Sequence, residues 1–169
     1  MSSKNIAVLC EDLYEEMEMW YPYYRLIEEG HNVFLVGTDR DKYKGKHGYP
    51  AKVDKKASEV NPEDVDAVIV PGGFAPDKLR QSPDILNLVK AANENNRIIA
   101  AICHGPWVMI SANILRNKRV TSSYAIRDDI VNSGAGFMDE SVVVDGNLIT
   151  SRMPQDLPDF TQAIIAALK

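Results

Sequence analysis

The sequence predicts one α/β domain over residues 1–169, with a mostly parallel central sheet and helices on both faces. Three observations support this fold class. The chain of 169 residues suits a single domain with a full hydrophobic core. Four short apolar runs lack the alternation of a half-exposed strand, and helical patterns lie between them.

The apolar runs are rich in Val, Ile, Leu and Ala, which is typical of strands buried on both faces. They lie at 5–10, 32–37, 66–71 and 97–103. Two further stretches predict hairpins. Residues 43–53 carry two glycines and a proline between β-prone residues, and residues 141–150 hold an Asp-Gly turn between two apolar runs.

The first predicted helix ends at Gly30, and Pro22 predicts a kink or an irregular first turn within it. Its apolar side chains form one stripe: Met17, Trp20, Tyr21, Tyr24 and Ile27. A second helix begins at the Ser82-Pro83-Asp84 cap and runs to about Asn95.

Two later helices complete the pattern. One begins at Gly105-Pro106 and runs to about Leu115. The last shows the spacing of a single buried face, with apolar residues at Phe160, Ala163, Ile164, Ala167 and Leu168.

Composition excludes several classes of partner. A net charge of -5 without a dense Lys/Arg run argues against nucleic acid and anionic membranes, and no apolar stretch reaches the ~20 residues that span a bilayer. The first residues lack the apolar core of a signal peptide, so we expect a cytoplasmic protein whose two cysteines are thiols. No metal site is indicated, because the histidines are scattered at His31, His47 and His104.

Cys103 directly follows the fourth apolar run, at the strand end where open α/β sheets bind ligands. The stretch "AICHG" has the spacing of the G-x-S-x-G nucleophile elbow, with Cys for Ser and Ala for the first Gly. The helix that begins beside the sulfur supplies N–H groups and positive potential, which favour a thiolate. The pattern therefore predicts a reactive thiol with a lowered pKa, and a buried structural cysteine is the alternative.

The base that would serve Cys103 stays open. Side chains of successive residues diverge, so we expect that His104 does not take the thiol proton, and no histidine follows it. This argues against a conventional triad and against a glutamine amidotransferase. A buried carboxyl group could hold the proton instead. Five acids follow the first strand, and spacing does not choose among them or exclude that all are exposed: Glu11, Asp12, Glu15, Glu16 and Glu18.

Pro71-Gly72-Gly73 follows the third apolar run. Two glycines allow the backbone to pass close to the elbow and to point N–H groups inward, as an oxyanion hole requires. The alternative is a tight turn with no further role. A phosphate-binding loop is disfavoured, because neither G-x-G-x-x-G nor GK[ST] follows.

These elements, in this order, resemble the PfpI family, the intracellular protease and deglycase branch of the class I glutamine amidotransferase-like superfamily. The resemblance covers nearly the whole chain, including "YEEMEMWYPYYRLIEEGH", "VPGGFAPDK", "AICHGPW" and "VTSSYAIRDD". It implies a flavodoxin-like three-layer sandwich, a site without a cofactor, and self-association as a dimer or hexamer.

The resemblance also implies roles for individual residues. Cys103 matches the nucleophile, Glu15 the acid that touches its sulfur, and Gly73, next to Gly72, the oxyanion hole together with the backbone N–H of His104. In the protease members the counterpart of His104 pairs with a glutamate of a neighbouring subunit. This sequence has the shorter Asp77 at that position. Tyr124 falls near the same pocket.

Three functions follow as expectations. The first is an enzyme that acts on reactive aldehydes or glycated protein adducts, as a deglycase or a cofactor-independent glyoxalase, with Cys103 adding to carbon and Glu15 moving the proton. The second is a cysteine peptidase that degrades damaged proteins. The third is a redox sensor or holdase chaperone, since a low-pKa thiol would also suit a sensor.

Overall fold

The molecule is built around a central sheet of seven strands. The structure is a computed structural model that describes residues 2–169. In chain order the strands are β1 (Asn5–Leu9), β2 (Asn32–Gly37), β3 (Lys42–Lys44), β4 (Pro50–Lys52), β5 (Lys55–Lys56), β6 (Ala67–Val70), β7 (Ile98–Ile102), β8 (Arg119–Val120), β9 (Gly136–Phe137), β10 (Val142–Asp145) and β11 (Leu148–Ser151). The central sheet has the order β10-β11-β7-β6-β1-β2-β5. All its pairs are parallel except the β10–β11 hairpin.

Within the described part of the chain, six α-helices surround this sheet: α1 (Glu16–Glu28), α2 (Ala75–Leu79), α3 (Pro83–Glu94), α4 (Pro106–Ser111), α5 (Arg127–Asn132) and α6 (Leu157–Ala167). Helices α1 and α6 contact each other and the sheet, and α3 and α4 form a second such group. No helix within residues 2–169 has the length and apolar character needed to cross a membrane.

The sheet confirms the fold class read from the sequence. The four apolar runs form β1, β2, β6 and β7, whose residues are almost all buried because helices pack on both sides of them. The two predicted hairpins are also present, as β3–β4 and β10–β11. The flavodoxin-like architecture is the one that the resemblance implies.

Two helical predictions need correction. Helix α4 ends at Ser111 rather than near Leu115, because Asn113 adopts a positive φ of 58° that stops the helix. Helix α1 buries a different face from the one its apolar stripe suggests: Met19 and Leu26 are buried, whereas Tyr24 is 61% exposed. Since α1 carries large apolar residues on both sides, its pattern does not identify the core-facing side.

The direction of strand addition reverses between β1 and β6. From β1 the chain crosses through α1 to β2 on one side, and from β6 it crosses through α3 to β7 on the other. Right-handed crossovers then place α1 and α3 on opposite faces. The carboxyl ends of β1, β6 and β7 border this switch point, which is where open α/β sheets bind ligands.

Candidate active site

Cys103 occupies a tight turn between β7 and α4. Its φ of +62° lies in the left-handed region, which is strained for a residue with a side chain. The N–H of Gly105 donates to the carbonyl of Ile102 at 2.8 Å, and a Cβ at Gly105 would lie 2.5 Å from the carbonyl oxygen of Val70. Only glycine fits this position without a shift of backbone. The turn leaves the Cys103 side chain partly exposed above the sheet.

Two backbone N–H groups, from Gly73 and His104, point at the Cys103 sulfur and lower the pKa of its thiol. Gly73 has a φ of +74° and pairs with Tyr14 in an isolated antiparallel bridge. A Cβ at Gly73 would lie 2.5 Å from the carbonyl oxygen of Leu13, so the close approach requires glycine. The structure thus brings together the two donors that the family resemblance implies there. Their role as an oxyanion hole stays a prediction.

The acid in contact with the sulfur is Glu18, one helical turn beyond Glu15, the residue that the family resemblance implies for this place. Glu18 is 1% exposed, and its Oε2 accepts the N–H of Gly72 at 2.8 Å. Its Oε1 is buried without a hydrogen-bond partner of ordinary geometry among residues 2–169. The Cys103 thiol interacts with this carboxyl as a weak donor and lowers its pKa slightly. The carboxyl group that contacts the thiol is therefore that of Glu18.

Glu18 has an unusual protonation state for a carboxyl group. Burial raises its pKa to about 7, and the neighbouring Glu15 adds to this rise, while the Gly72 N–H and Lys46 oppose it. At neutral pH the protonated and ionised forms of Glu18 are thus both populated. This is the condition under which a carboxyl group exchanges protons with a reacting molecule in either direction.

The prediction of a lowered pKa for the Cys103 thiol is wrong. Burial and the Glu18 carboxylate raise the pKa of the thiol to about 12, and they outweigh the two N–H groups and Lys46. Groups this close titrate as a pair and share the single negative charge of the ionised site. The tautomer with a neutral Glu18 and an ionised sulfur places that charge where the Gly73 and His104 N–H groups point.

Glu15 forms an ion pair with a lysine of the β3–β4 hairpin. Its Oε2 lies 2.7 Å from Nζ of Lys46, and both side chains are partly screened from solvent. Glu15 is the N-cap residue of α1, and its side chain contacts Lys46, which lies between β3 and β4. Lys46 has no counterpart in the sequence predictions. Its charge lowers the pKa of both the Cys103 thiol and the His104 imidazole.

His104 lies closer to the sulfur than the sequence analysis expects. Its Nδ1 is 3.3 Å from Cys103 Sγ, because the left-handed backbone at Cys103 turns the next residue back towards the thiol. The ring packs edge-to-face on Trp107 with centroids 5.2 Å apart. Burial and Lys46 lower the pKa of His104, with a smaller opposing effect from Asp129, so the imidazole is neutral at pH 7. The expectation that the two side chains diverge is wrong.

Two further predicted site residues lie at the periphery. Asp77 is exposed on α2, and its carbonyl accepts the side-chain amide of Gln81; its pairing with His104 across a subunit interface stays a prediction. Tyr124 is 70% exposed and packs edge-to-face on Phe137. The preceding residue, Ser123, donates its N–H to the carbonyl of Cys103 at 2.9 Å, which fixes this segment beside the elbow.

Three side chains with metal-ligating atoms also lie near the hairpin. Ligand atoms of Glu15, Glu16 and His47 lie within 4.8 Å of one another. Each already has a protein partner, since Lys46 pairs with Glu15, and Glu16 contacts His47 Nδ1 at 2.8 Å. The ligand atoms of this group are therefore engaged by protein partners.

Comparison with known proteins identifies relatives over nearly the full length. A model of the DJ-1/PfpI family matches residues 4–167. A deglycase of Pyrococcus abyssi is 42% identical over 164 residues, which is 97% of this chain and 99% of that protein, and Deglycase PfpI of Pyrococcus furiosus is 40% identical with the same coverage.

Among solved structures, a protein of Anabaena variabilis with DJ-1/ThiJ/PfpI-like and ferritin-like domains superposes with a TM-score of 0.96 and 43% identity. The match covers 98% of this chain and 48% of that one, so the chain spans about half the length of the two-domain protein.

Proposed function

The chain belongs to the DJ-1/PfpI family, and we propose that it is a cysteine-dependent enzyme that acts on reactive aldehydes or glycated protein adducts, as a deglycase or a cofactor-independent glyoxalase. One observation carries the proposal: the Cys103 sulfur lies at a strand-to-helix turn, with two N–H donors and the Glu18 carboxyl around it. The Pyrococcus relatives named as deglycases support the same class of reaction.

The first step would be addition of the sulfur to an aldehyde carbon, for example that of methylglyoxal. A C–S bond forms, and the carbonyl electron pair moves to oxygen. The Gly73 and His104 N–H groups point at the sulfur and are thus placed to stabilise the new oxyanion. Glu18 would then protonate this oxygen, giving a hemithioacetal.

The second step would move hydrogen between adjacent carbons. Ionised Glu18 removes the proton from the carbon that bears sulfur and returns it to the neighbouring carbon, and the hydroxyl proton of the first carbon passes to the ketone oxygen. The former ketone thus becomes an alcohol, and the carbon that bears sulfur becomes a thioester carbonyl. Water then cleaves the thioester and releases lactate and the free thiol. The net reaction is methylglyoxal plus water to lactate, which needs no external oxidant or reductant. Glu18, with a pKa of about 7, here takes the role that the sequence analysis gives to Glu15.

Release of D-lactate from methylglyoxal or from a glycated thiol tests the proposal. We expect the native protein to release D-lactate and Cys103→Ser to release only the buffer-catalysed amount, because the oxygen nucleophile is not ionised at neutral pH. Cys10→Ser is the matched control, since Cys10 is fully buried and should leave turnover unchanged. Equal lactate from the native protein and Cys103→Ser, after correction for buffer, would reject the proposal.

The short contact between Cys103 Sγ and His104 Nδ1, 3.3 Å, favours a cysteine peptidase as the second candidate. A neutral imidazole at this distance is suited to accept the thiol proton. In this function Asp77 of a neighbouring subunit would orient His104. The same protein preparation should then cleave unfolded casein, and intact casein would exclude the peptidase.

Self-association as a dimer or hexamer, in the cytoplasm, is also part of the proposal. The exposed apolar side chains on α1, Met17, Tyr21, Tyr24 and Ile27, form a face that supports contact with a second copy. A monomeric mass by light scattering would argue against it. A reducing compartment would keep Cys103 in the free form that the reaction needs.

A further inference from the structure

The tip of the β3–β4 hairpin is built onto the start of α1. One carboxylate oxygen of Glu16 accepts the backbone N–H of His47 at 2.7 Å, and the other contacts His47 Nδ1 at 2.8 Å. Gly45 leaves the space that this carboxyl occupies, because a Cβ at that position would collide with it. These contacts fix the hairpin tip against the start of α1.

Lys46, at this tip, is held through both its backbone and its side-chain ammonium. Its backbone N–H donates to the carbonyl of Tyr14 at 2.9 Å, and its Nζ lies 2.7 Å from Glu15 Oε2. The backbone N–H of Glu15 in turn donates to the carbonyl of Gly72 at 3.2 Å, and Gly72 precedes the glycine whose N–H points at the sulfur. A chain of direct contacts thus runs from the Lys46 ammonium to the elbow.

We propose that Lys46 and Glu15 form a positioning ion pair that sets the pH at which the Cys103–Glu18 pair loses its first proton. Lys46 favours the negative charge of the ionised pair, and Glu15 opposes it. The inference rests on Cys103 as the reacting group of the proposed function.

The charges around the pair support opposite roles for the two partners. The His104 imidazole lies 3.3 Å from the sulfur. Four charged groups, on α1 and its N-cap, the hairpin and α5, shift the pKa of Cys103, Glu18 or His104: Glu15, Glu18, Lys46 and Asp129. Of these, Lys46 lowers the pKa of both Glu18 and Cys103, and Glu15 raises that of Glu18. Because Glu15 neutralises Lys46 in part, removal of either partner should shift the titration, in opposite directions.

The experiment measures the rate of Cys103 alkylation by iodoacetamide between pH 5 and pH 10, followed by mass spectrometry of the peptide that contains Cys103. Lys46→Met should move the profile upward by about one pH unit, so that alkylation below its midpoint slows about tenfold. Glu15→Gln should move it downward, and Lys46→Arg should keep the native profile. The control is Lys52→Met on strand β4 of the same hairpin, which removes an equal charge from an exposed position.

A Lys46→Met profile equal to that of Lys52→Met would overturn the inference, as would shifts of the same sign for Lys46→Met and Glu15→Gln. If Lys46→Met does not fold, Glu15→Gln decides alone: a downward shift supports the ion pair, and an unchanged or upward shift rejects it. Alkylation needs no substrate. Shifted profiles without lactate release would therefore reject the proposed enzyme and leave the ion pair standing.

Discussion

The two cysteines of the chain occupy equivalent places in the sheet but different chemical environments. Cys10 directly follows β1 and Cys103 directly follows β7, so both lie at the carboxyl edge. Each also continues its ladder by one hydrogen bond: the N–H of Cys10 donates to Val36 at 2.8 Å, and that of Cys103 to Ser151 at 3.0 Å. Position at a strand end therefore does not by itself make a thiol reactive.

The two cysteines differ in backbone conformation, since Cys103 has a positive φ and Cys10 does not. Cys10 is fully buried, and burial with the adjacent Glu11 and Asp12 carboxylates raises the pKa of its thiol. The left-handed turn at Cys103 instead lifts the sulfur out of the core and points it at the Gly73 and His104 N–H groups. The comparison shows that the candidate active site needs two features: a left-handed backbone conformation at the cysteine, and a second loop whose N–H group points at the sulfur.

Selective alkylation tests this difference and has the largest expected effect. Iodoacetamide should label Cys103 in the folded protein at least about 10³-fold faster than Cys10, because Cys10 reacts only when the core opens, at a cost of several kcal/mol. Peptide mass spectrometry over time measures both rates in one sample. Labelling of Cys103 only after addition of urea would show that the elbow does not expose the sulfur.

A buried acid lies beside each cysteine, Glu18 beside Cys103 and Glu11 beside Cys10, and the two acids should affect the pH dependence of stability differently. The folded-state pKa of Glu18 is about 7, above its ordinary value of 4.5, so the folded state binds an extra proton between these values. Stability should therefore fall as pH rises from 4.5 to 7, by about 3 kcal/mol in total. Glu18→Gln removes this loss and should be about 3 kcal/mol more stable than the native protein above pH 7.

The matched control is Glu11→Gln beside Cys10. Glu11 is also buried, but its carboxylate accepts hydrogen bonds from Thr38 and from Arg40, so loss of its charge should not stabilise the protein. Urea denaturation at pH 5 and pH 8.5 compares the variants. An equal gain in stability at both pH values for Glu18→Gln would contradict an acid that ionises in this range.

The same contrast explains what could be read from the sequence. The strands were predictable because their residues are buried on both faces, and the elbow because Cys103 and Gly105 have a fixed spacing after a strand. Glu15 and Glu18 are one helical turn apart, so spacing could not choose between them. That choice depends on where α1 begins, since this makes Glu15 the N-cap residue.

The remaining site features depend on information that residue types do not carry. The elbow spacing predicts a tight turn at Cys103 but not the direction of the side chain that follows it, so the approach of His104 to Cys103 could not be expected. Lys46 lies on a separate hairpin, and only tertiary packing brings it to the Glu15 carboxylate. A hairpin tip with a lysine between glycines was the sole signal, and many exposed turns share it.

Truncation of each cysteine to alanine gives the smallest expected effect and completes the comparison. Cys10→Ala should lower the free energy of unfolding by about 1 kcal/mol, because it removes a sulfur atom from a close-packed core, and should leave lactate release unchanged. Cys103→Ala removes a partly exposed sulfur, so its free energy of unfolding should change less while activity is lost. Urea denaturation midpoints at pH 6 measure both. A loss of activity in Cys10→Ala at unchanged stability would show that the two strand ends are coupled, and that the separation between a structural and a reactive cysteine is incomplete.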